Sequence, residues 1–215
     1  VGKADLPQST DQSRIEERYL RDYAMHWTNF VRGTDVKPYR NRDDAVNALQ
    51  AFAQPNSPMK MLLREVNKNT NLSAKPEVEG WWEYLKSFIF KPKANETGGS
   101  EPEKAFRPLV TFVGTKDQKD KSPADAYAAE MNRAYASVNT KAANDAALKK
   151  IGEGMVSNED DPLEIKKRET AISNLTAPFN ETPSSQEVAS LLQEPLARLR
   201  TLLGAGGKET IQKTW

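Results

Sequence analysis

Apolar side chains recur along this chain at three- and four-residue intervals, and those intervals predict helices almost throughout. Between Ser9 and Arg32 they fall at Ile15, Tyr19, Tyr23, Trp27, Phe30 and Val31, with Glu16, Glu17, Arg18, Arg21 and Asp22 on the other side. That is the one-sided stripe of an amphipathic helix. Ser9, Thr10 or Asp11 caps its start and Gly33 marks its stop. A second helix is predicted from about Asn41 to Gln54, with Ala45, Val46, Leu49, Phe52 and Ala53 inward and Pro55 ending it. Ser57-Pro58 opens a third, with Ser as N-cap and Pro at the first helical position. Met59, Leu62, Leu63 and Val66 form its inner face, and it ends near Asn69-Thr70-Asn71. A fourth, Glu77 to Phe90, carries Trp81, Trp82, Tyr84, Leu85, Phe88 and Ile89.

Residues 91–105 hold Ala as their only apolar side chains among Pro, Gly, Ser and charge, which reads as a linker or exposed loop. The short apolar segment from Phe106 to Val113 is ambiguous between helix and strand, because Pro108 sits inside it. Ser122-Pro123 repeats the cap-plus-Pro start and opens an alanine-rich helix to about residue 151, with Tyr127, Met131, Ala134, Tyr135 and Val138 on one face. A break is expected over 152–160. Asp161-Pro162 then leads a helix to about Leu175. After a further break, Ser184 or Ser185 caps a leucine-rich segment from Val188 to Leu203, interrupted at Pro195. Gly204 to Gly207 stop it, and a last short helix ends at Trp215.

The predicted fold is therefore all-α, a multi-helix bundle of about eight or nine helices. Most aromatic residues precede residue 91 and the alanines and leucines follow it. The chain then divides into an aromatic-rich subdomain (1–90), a linker or exposed loop (91–105), and an alanine/leucine-rich subdomain (106–215) packed against the first.

Charge and rare residues narrow the function. Lys and Arg number 31 against 30 Asp and Glu, a net of +1, and neither half is biased. Nucleic-acid binders and polybasic membrane modules need clustered, unbalanced cations, so both classes are disfavoured. There is no Cys and one His, His26, which excludes thiol nucleophiles, Cys-ligated zinc and a multi-His metal site. No apolar run approaches the ~20 residues of a membrane span. The opening, VGKADLPQST, has no initiator Met and no apolar core of a signal peptide, and reads as a piece of a longer protein.

Several candidate sites reduce to structural readings. His26, beside the aromatic stripe, is expected as a satisfied histidine at a core edge. Glu159, Asp160 and Asp161 lack the spacing of a calcium loop. Gly204 to Thr210 lacks the strand and the Gly-Lys-Ser/Thr ending of a phosphate loop. Lys60, Arg64 and Lys68, at i, i+4 and i+8, form one basic stripe, a possible partner contact or simply a solvated face. The aromatic set is read as core rather than as a ligand pocket. No catalytic residue, cofactor or metal is expected.

The run Tyr19, Tyr23, Trp27, Phe30 is similar to a Y-x3-Y-x3-W-x2-F stretch of the IcmF/TssM family, the large inner-membrane protein of bacterial type VI secretion systems. Asp44-Ala45 and Leu49, then Ser57-Pro58 with Leu62-Leu63, then Asn69-Thr70 with Leu72 follow in that family's order. From about residue 19 to 72 the likeness is one of residues; beyond that it is one of order and spacing. Phe106 and Leu109 resemble the family's short apolar segment, and the leucine-rich end closing on Trp215 resembles the approach to its terminal β-rich region.

The resemblance implies a mostly helical, periplasmic part of an inner-membrane protein. It implies a non-catalytic scaffold in the trans-envelope complex, with three partners: further copies of the chain, an outer-membrane lipoprotein and a second inner-membrane protein. Contact with the lipoprotein is expected mainly through the β-rich region that follows in the family. The alternative is a generic helical adaptor that holds a peptide or partner helix in an exposed apolar groove, expected as a pocket between the second and fourth helices.

Overall fold

The computed structural model describes residues 8–72, 99–114, 122–158 and 161–214. Among them lie eight α-helices, one 3-10 helix and no strand, so the fold is all-α as predicted. The helices are α1 (Gln8–Arg32), α2 (Arg42–Phe52), α3 (Pro58–Thr70), α4 (Glu101–Val113), α5 (Pro123–Lys141), α6 (Asp145–Asn158), α7 (Ile165–Thr176) and α8 (Pro183–Thr214). The 3-10 turn Ala177–Glu181 joins α7 to α8. The predicted helix from Glu77 to Phe90 lies outside the described residues.

Caps set most of the starts. The Asn41 side chain accepts from the Asp44 N–H at 2.8 Å and begins α2. The Ser57 hydroxyl accepts from the Lys60 N–H at 3.1 Å, with Pro58 at the first helical position of α3. The Ser122 hydroxyl accepts from the Asp125 N–H at 3.3 Å and begins α5. Each removes one orphan donor from a helix end, an effect worth ~1 kcal/mol.

Five sequence expectations need correction. Helix α4 begins at Glu101, inside the stretch read as loop, because the Glu103 carboxylate accepts from the Ser100 N–H at 2.6 Å and Pro102 occupies the first turn. It continues through the ambiguous segment, with Phe106 bent out of helical geometry (φ −118°, ψ 17°) two residues before Pro108. The single helix expected to reach residue 151 is broken at 142–144, where Asn144 caps a new helix by accepting from the Ala147 N–H at 2.9 Å. That helix, α6, then runs through the break expected at 152 to Asn158. Pro162 is not a first helical position: α7 starts at Ile165, after Glu164 takes a left-handed conformation (φ 55°).

The fifth concerns α8. It starts at Pro183 and is capped by neither Ser184 nor Ser185 but by Thr182, whose hydroxyl accepts from the Ser185 N–H at 3.1 Å. Neither Pro195 nor the glycines at 204–207 end it. An interior Pro costs ~3 kcal/mol, but Leu191, Leu192, Leu196 and Leu199 are buried on both sides of it. Each such leucine contributes roughly 1.5–3 kcal/mol, so the helix persists. Gly weakens a helix by ~1 kcal/mol per residue without forbidding it.

Helix α8 is the axis of the bundle: α1, α4, α6, α7 and the 3-10 turn all pack against it. Helix α2 lies mainly on α5, and α3 on α4. Buried side chains from Val31 to Val66 and from Phe106 to Leu203 belong to one cluster, so the two parts read from composition share a core. Phe112 and Phe179, both within it, meet edge-to-face, 5.3 Å apart.

Helices α6 and α8 approach closely at Gly152. A Cβ on Gly152 would lie 2.3 Å from the Leu203 carbonyl oxygen, whereas one on Gly154 would meet nothing within 4 Å. Gly152→Ala should therefore lower the melting temperature, by the equivalent of ~1–3 kcal/mol of overpacking. Gly154→Ala should raise it slightly, through a helix-propensity gain of ~0.5–1 kcal/mol. Circular-dichroism melts of the two variants should move in opposite directions.

Candidate functional site

Of the aromatic residues of α1, Trp27 packs against the core as its spacing suggests, while Tyr19, Tyr23 and Phe30 lie outside it. The face turned to the bundle carries Ala24, Thr28 and Val31, with Leu20, Tyr23 and Trp27 half-buried. Tyr19 is 50% and Phe30 45% exposed. Small residues let α1 lie close to its neighbours, and the Thr28 hydroxyl reaches Ser184 Oγ at 2.7 Å. The buried face is thus rotated by about one position, and the rings run along its flank. Successive centroids are 6.1 Å (Tyr19–Tyr23), 6.4 Å (Tyr23–Trp27) and 5.5 Å (Trp27–Phe30) apart. The Tyr23 hydroxyl donates to the Asn69 carbonyl at 3.0 Å, tying α1 to the end of α3. His26 is exposed rather than at a core edge.

The other positions of the family series lie closer to expectation. Leu49, Ser57, Leu63 and Thr70 are buried, Leu62 and Leu72 half-buried, and Pro58 is exposed at the start of α3. Of the acidic cluster, Asp161 accepts from the Lys166 N–H at 2.7 Å near the start of α7; Glu159 and Asp160 lie outside the described residues. The described residues hold no cluster of His, Cys, Asp or Glu able to ligate a metal.

The basic stripe on α3 is not one surface. Arg64 and Lys68 are exposed, but Lys60 is only 8% exposed and its ammonium is paired with Asp125 of α5. Helical spacing placed the three cations on one line; packing of α3 near the start of α5 takes the first of them inward. Asp125 also accepts from the Ser122 N–H at 2.9 Å. The Lys60 ammonium, with these Ser122 donors, holds its carboxyl down to about 2 against the burial that opposes it.

A cleft of about 1030 Å³ lies between the α1–α2 connection, α2 and α3; the groove expected between the second and fourth predicted helices involves residues outside those described. Its floor is apolar: Ala48 and Phe52 from α2, Met59 and Leu62 from α3, and Leu191 from α8. The wall formed by the connection is pinned to α8. The Val36 N–H donates to Glu194 at 3.0 Å, and the Arg198 guanidinium donates to the Val36 carbonyl at 3.0 Å and to Asp35 at 2.6 Å. Burial raises the Glu194 carboxyl, while hydrogen bonds with Glu194 and Arg198 lower Asp35. Farther along, Arg40 grips Asp44 through its backbone N–H (3.2 Å) and its guanidinium (2.7 Å). Only Pro38 hinted at a stiff connection here; the distant Leu191, Glu194 and Arg198 carried no sequence signal for it.

Residues 2–71 match a family model described as IcmF-related, Intracellular multiplication and human macrophage-killing. No curated protein and no solved structure matches the chain. The family match supports an IcmF/TssM-type protein and points to a part in a secretion or intracellular-multiplication system. The matched stretch contains α1, α2, α3 and all of the cleft lining except Leu191. No helix among the described residues is long and apolar enough to cross a membrane.

The Lys60–Asp125 pair generates two predictions. Lys60→Glu should unfold or severely destabilise the chain, since it sets two carboxylates together at a buried position. Removing one partner of a fully buried pair costs ~3–5 kcal/mol, and the part-exposed Asp125 places the loss for Lys60→Met below that range. Arg64→Glu and Lys68→Glu should each stay within ~0.5 kcal/mol of the parent; urea titration separates these cases. The second prediction concerns pH. Asp125 titrates lower in the folded state than its ordinary 3.8. Its contribution is therefore complete above about pH 4 and lost as the pH falls towards 2. Asp125→Asn should melt earlier than the parent at neutral pH and lose less stability across that acid range.

Proposed function

We propose that this chain is a non-catalytic structural segment of the trans-envelope membrane complex of a type VI secretion system. On this reading it lies in the periplasm and acts by packing against further copies of itself, an outer-membrane lipoprotein and a second inner-membrane protein. The observation that carries the reading is the IcmF-related match over residues 2–71. It is supported by the architecture: helices packed around one core and cross-linked by ion pairs suit a rigid spacer that presents faces to partners.

A second reading, a helical adaptor that holds a peptide in a groove, is favoured by the apolar cleft beside α2 and α3. The two are compatible, since a scaffold segment can also receive a partner's peptide.

In the full-length protein, Arg64→Cys places a thiol at an exposed position on α3. It should react with a membrane-impermeant maleimide once the outer membrane is permeabilised, with the inner membrane intact. Labelling only after lysis of the inner membrane would contradict the periplasmic assignment. Tyr19→Ala with Phe30→Ala should leave the melting temperature near that of the parent, because both residues are exposed, and should reduce secretion. Full secretion by that variant would show that the α1 flank takes no part in assembly. Calorimetry of the isolated chain with ATP, magnesium or zinc should be flat; stoichiometric binding would overturn the non-catalytic reading.

A further inference from the structure

We propose that the cleft between the α1–α2 connection, α2 and α3 is a docking site for an extended apolar peptide segment bearing an acidic residue, contributed by a partner protein. The inference rests on the reading that this chain works through protein contacts.

The backbone of the connection selects an extended occupant. Val36 commits both its N–H and its carbonyl to Glu194 and Arg198 of α8, and the Arg40 N–H is held by Asp44. Between these anchors, Lys37 and Tyr39 line the cleft, and their N–H and carbonyl groups have no hydrogen-bond partner among the described residues. Pro38, between them, offers no donor and restricts Lys37 to extended backbone. Donors and acceptors on residues i and i+2 of a pinned segment are what a second extended chain pairs with. A helical ligand, with its own backbone bonded internally, gives these groups nothing.

The floor and rim select the side chains. Ala48, Phe52 and Leu62 are half-buried around the cleft, a surface that gains by covering with apolar side chains. Each carboxylate at the rim is already neutralised, Asp44 by Arg40 and Asp35 by Arg198. Lys37 is exposed and has no ion-pair partner among the described residues. The charge left to complement is positive, so the matching peptide carries Asp or Glu.

The chain contains no cysteine, so Asn47→Cys, at an exposed position on the cleft lining, introduces a single thiol for disulfide tethering. The probes are acetyl-Cys-Gly-Val-Leu-Val-Glu-amide, a twin N-methylated at both valines, and a twin with Lys in place of Glu. Each, supplied as its mixed disulfide with mercaptoethanol, exchanges with the Cys thiol of the variant and releases mercaptoethanol; it is equilibrated over a series of mercaptoethanol concentrations, after circular dichroism confirms the parent fold. The parent peptide should withstand roughly tenfold more reductant than the N-methylated twin, the equivalent of one to two net backbone hydrogen bonds. It should also exceed the Lys twin by a few-fold. If all three tether equally, at any level, the cleft reads neither backbone nor charge and the proposal is wrong. Preference for the Lys twin would overturn the charge assignment, and preference for the N-methylated one the extended pairing. None of these results bears on the secretion reading, which stands or falls on the labelling and secretion assays.

Discussion

Burial of one face of α8, from Val188 through Leu192, Leu196 and Leu199 to Leu203, is the condition under which the other helices have somewhere to pack. Most of the remaining helices are too short to persist alone, since isolated helices under ~12–15 residues are marginal in water. Their stability comes from the apolar stripe each lays on a neighbour, and α8 provides the longest such surface. It contacts α1 from the aromatic-rich part of the chain and α4, α6 and α7 from the residues that follow it. Two segments of quite different composition thereby become one core.

Polar contacts then fix how the short helices lie. Arg42, at the start of α2, donates its N–H to Asp145 at 2.6 Å and its guanidinium to Asn139 at 3.0 Å and to the Ala142 carbonyl. It thereby clasps the corner between α5 and α6. Arg168 of α7 is buried against Glu130 of α5 at 2.8 Å and also pairs with Glu164. Such buried pairs add little net stability over apolar residues of the same size, but they are costly to leave half-made. Arg168 reaches Glu130 only with α7 laid against α5.

The sequence made the helical class and the starts of α2, α3 and α5 legible because caps are local: Asn41, Ser57 and Ser122 each bond a backbone N–H three residues on. It was less informative wherever tertiary packing decided. The stripe Tyr19–Tyr23–Trp27–Phe30 has a helical period, yet the period does not say which neighbouring stripe faces inward. Ala24 and Thr28 won because small residues permit close approach. Lys60 looked like Arg64 and Lys68, and only its proximity to Asp125 distinguishes it. Pro195 and the glycines after it looked like terminators, and burial along α8 overrode them. The cleft was invisible for a different reason: its wall is held by Glu194 and Arg198, more than 150 residues from Val36.

The 32 residues of α8 span about 48 Å at 1.5 Å per residue. A pull along that axis does not peel helices away one after another. It loads the buried leucines together, in shear, against several neighbours at once, and forced unfolding then depends on a barrier in which many contacts must fail in concert. That loading geometry holds over the buried stretch from Val188 to Leu203, where tension along the helix is shared among its neighbours.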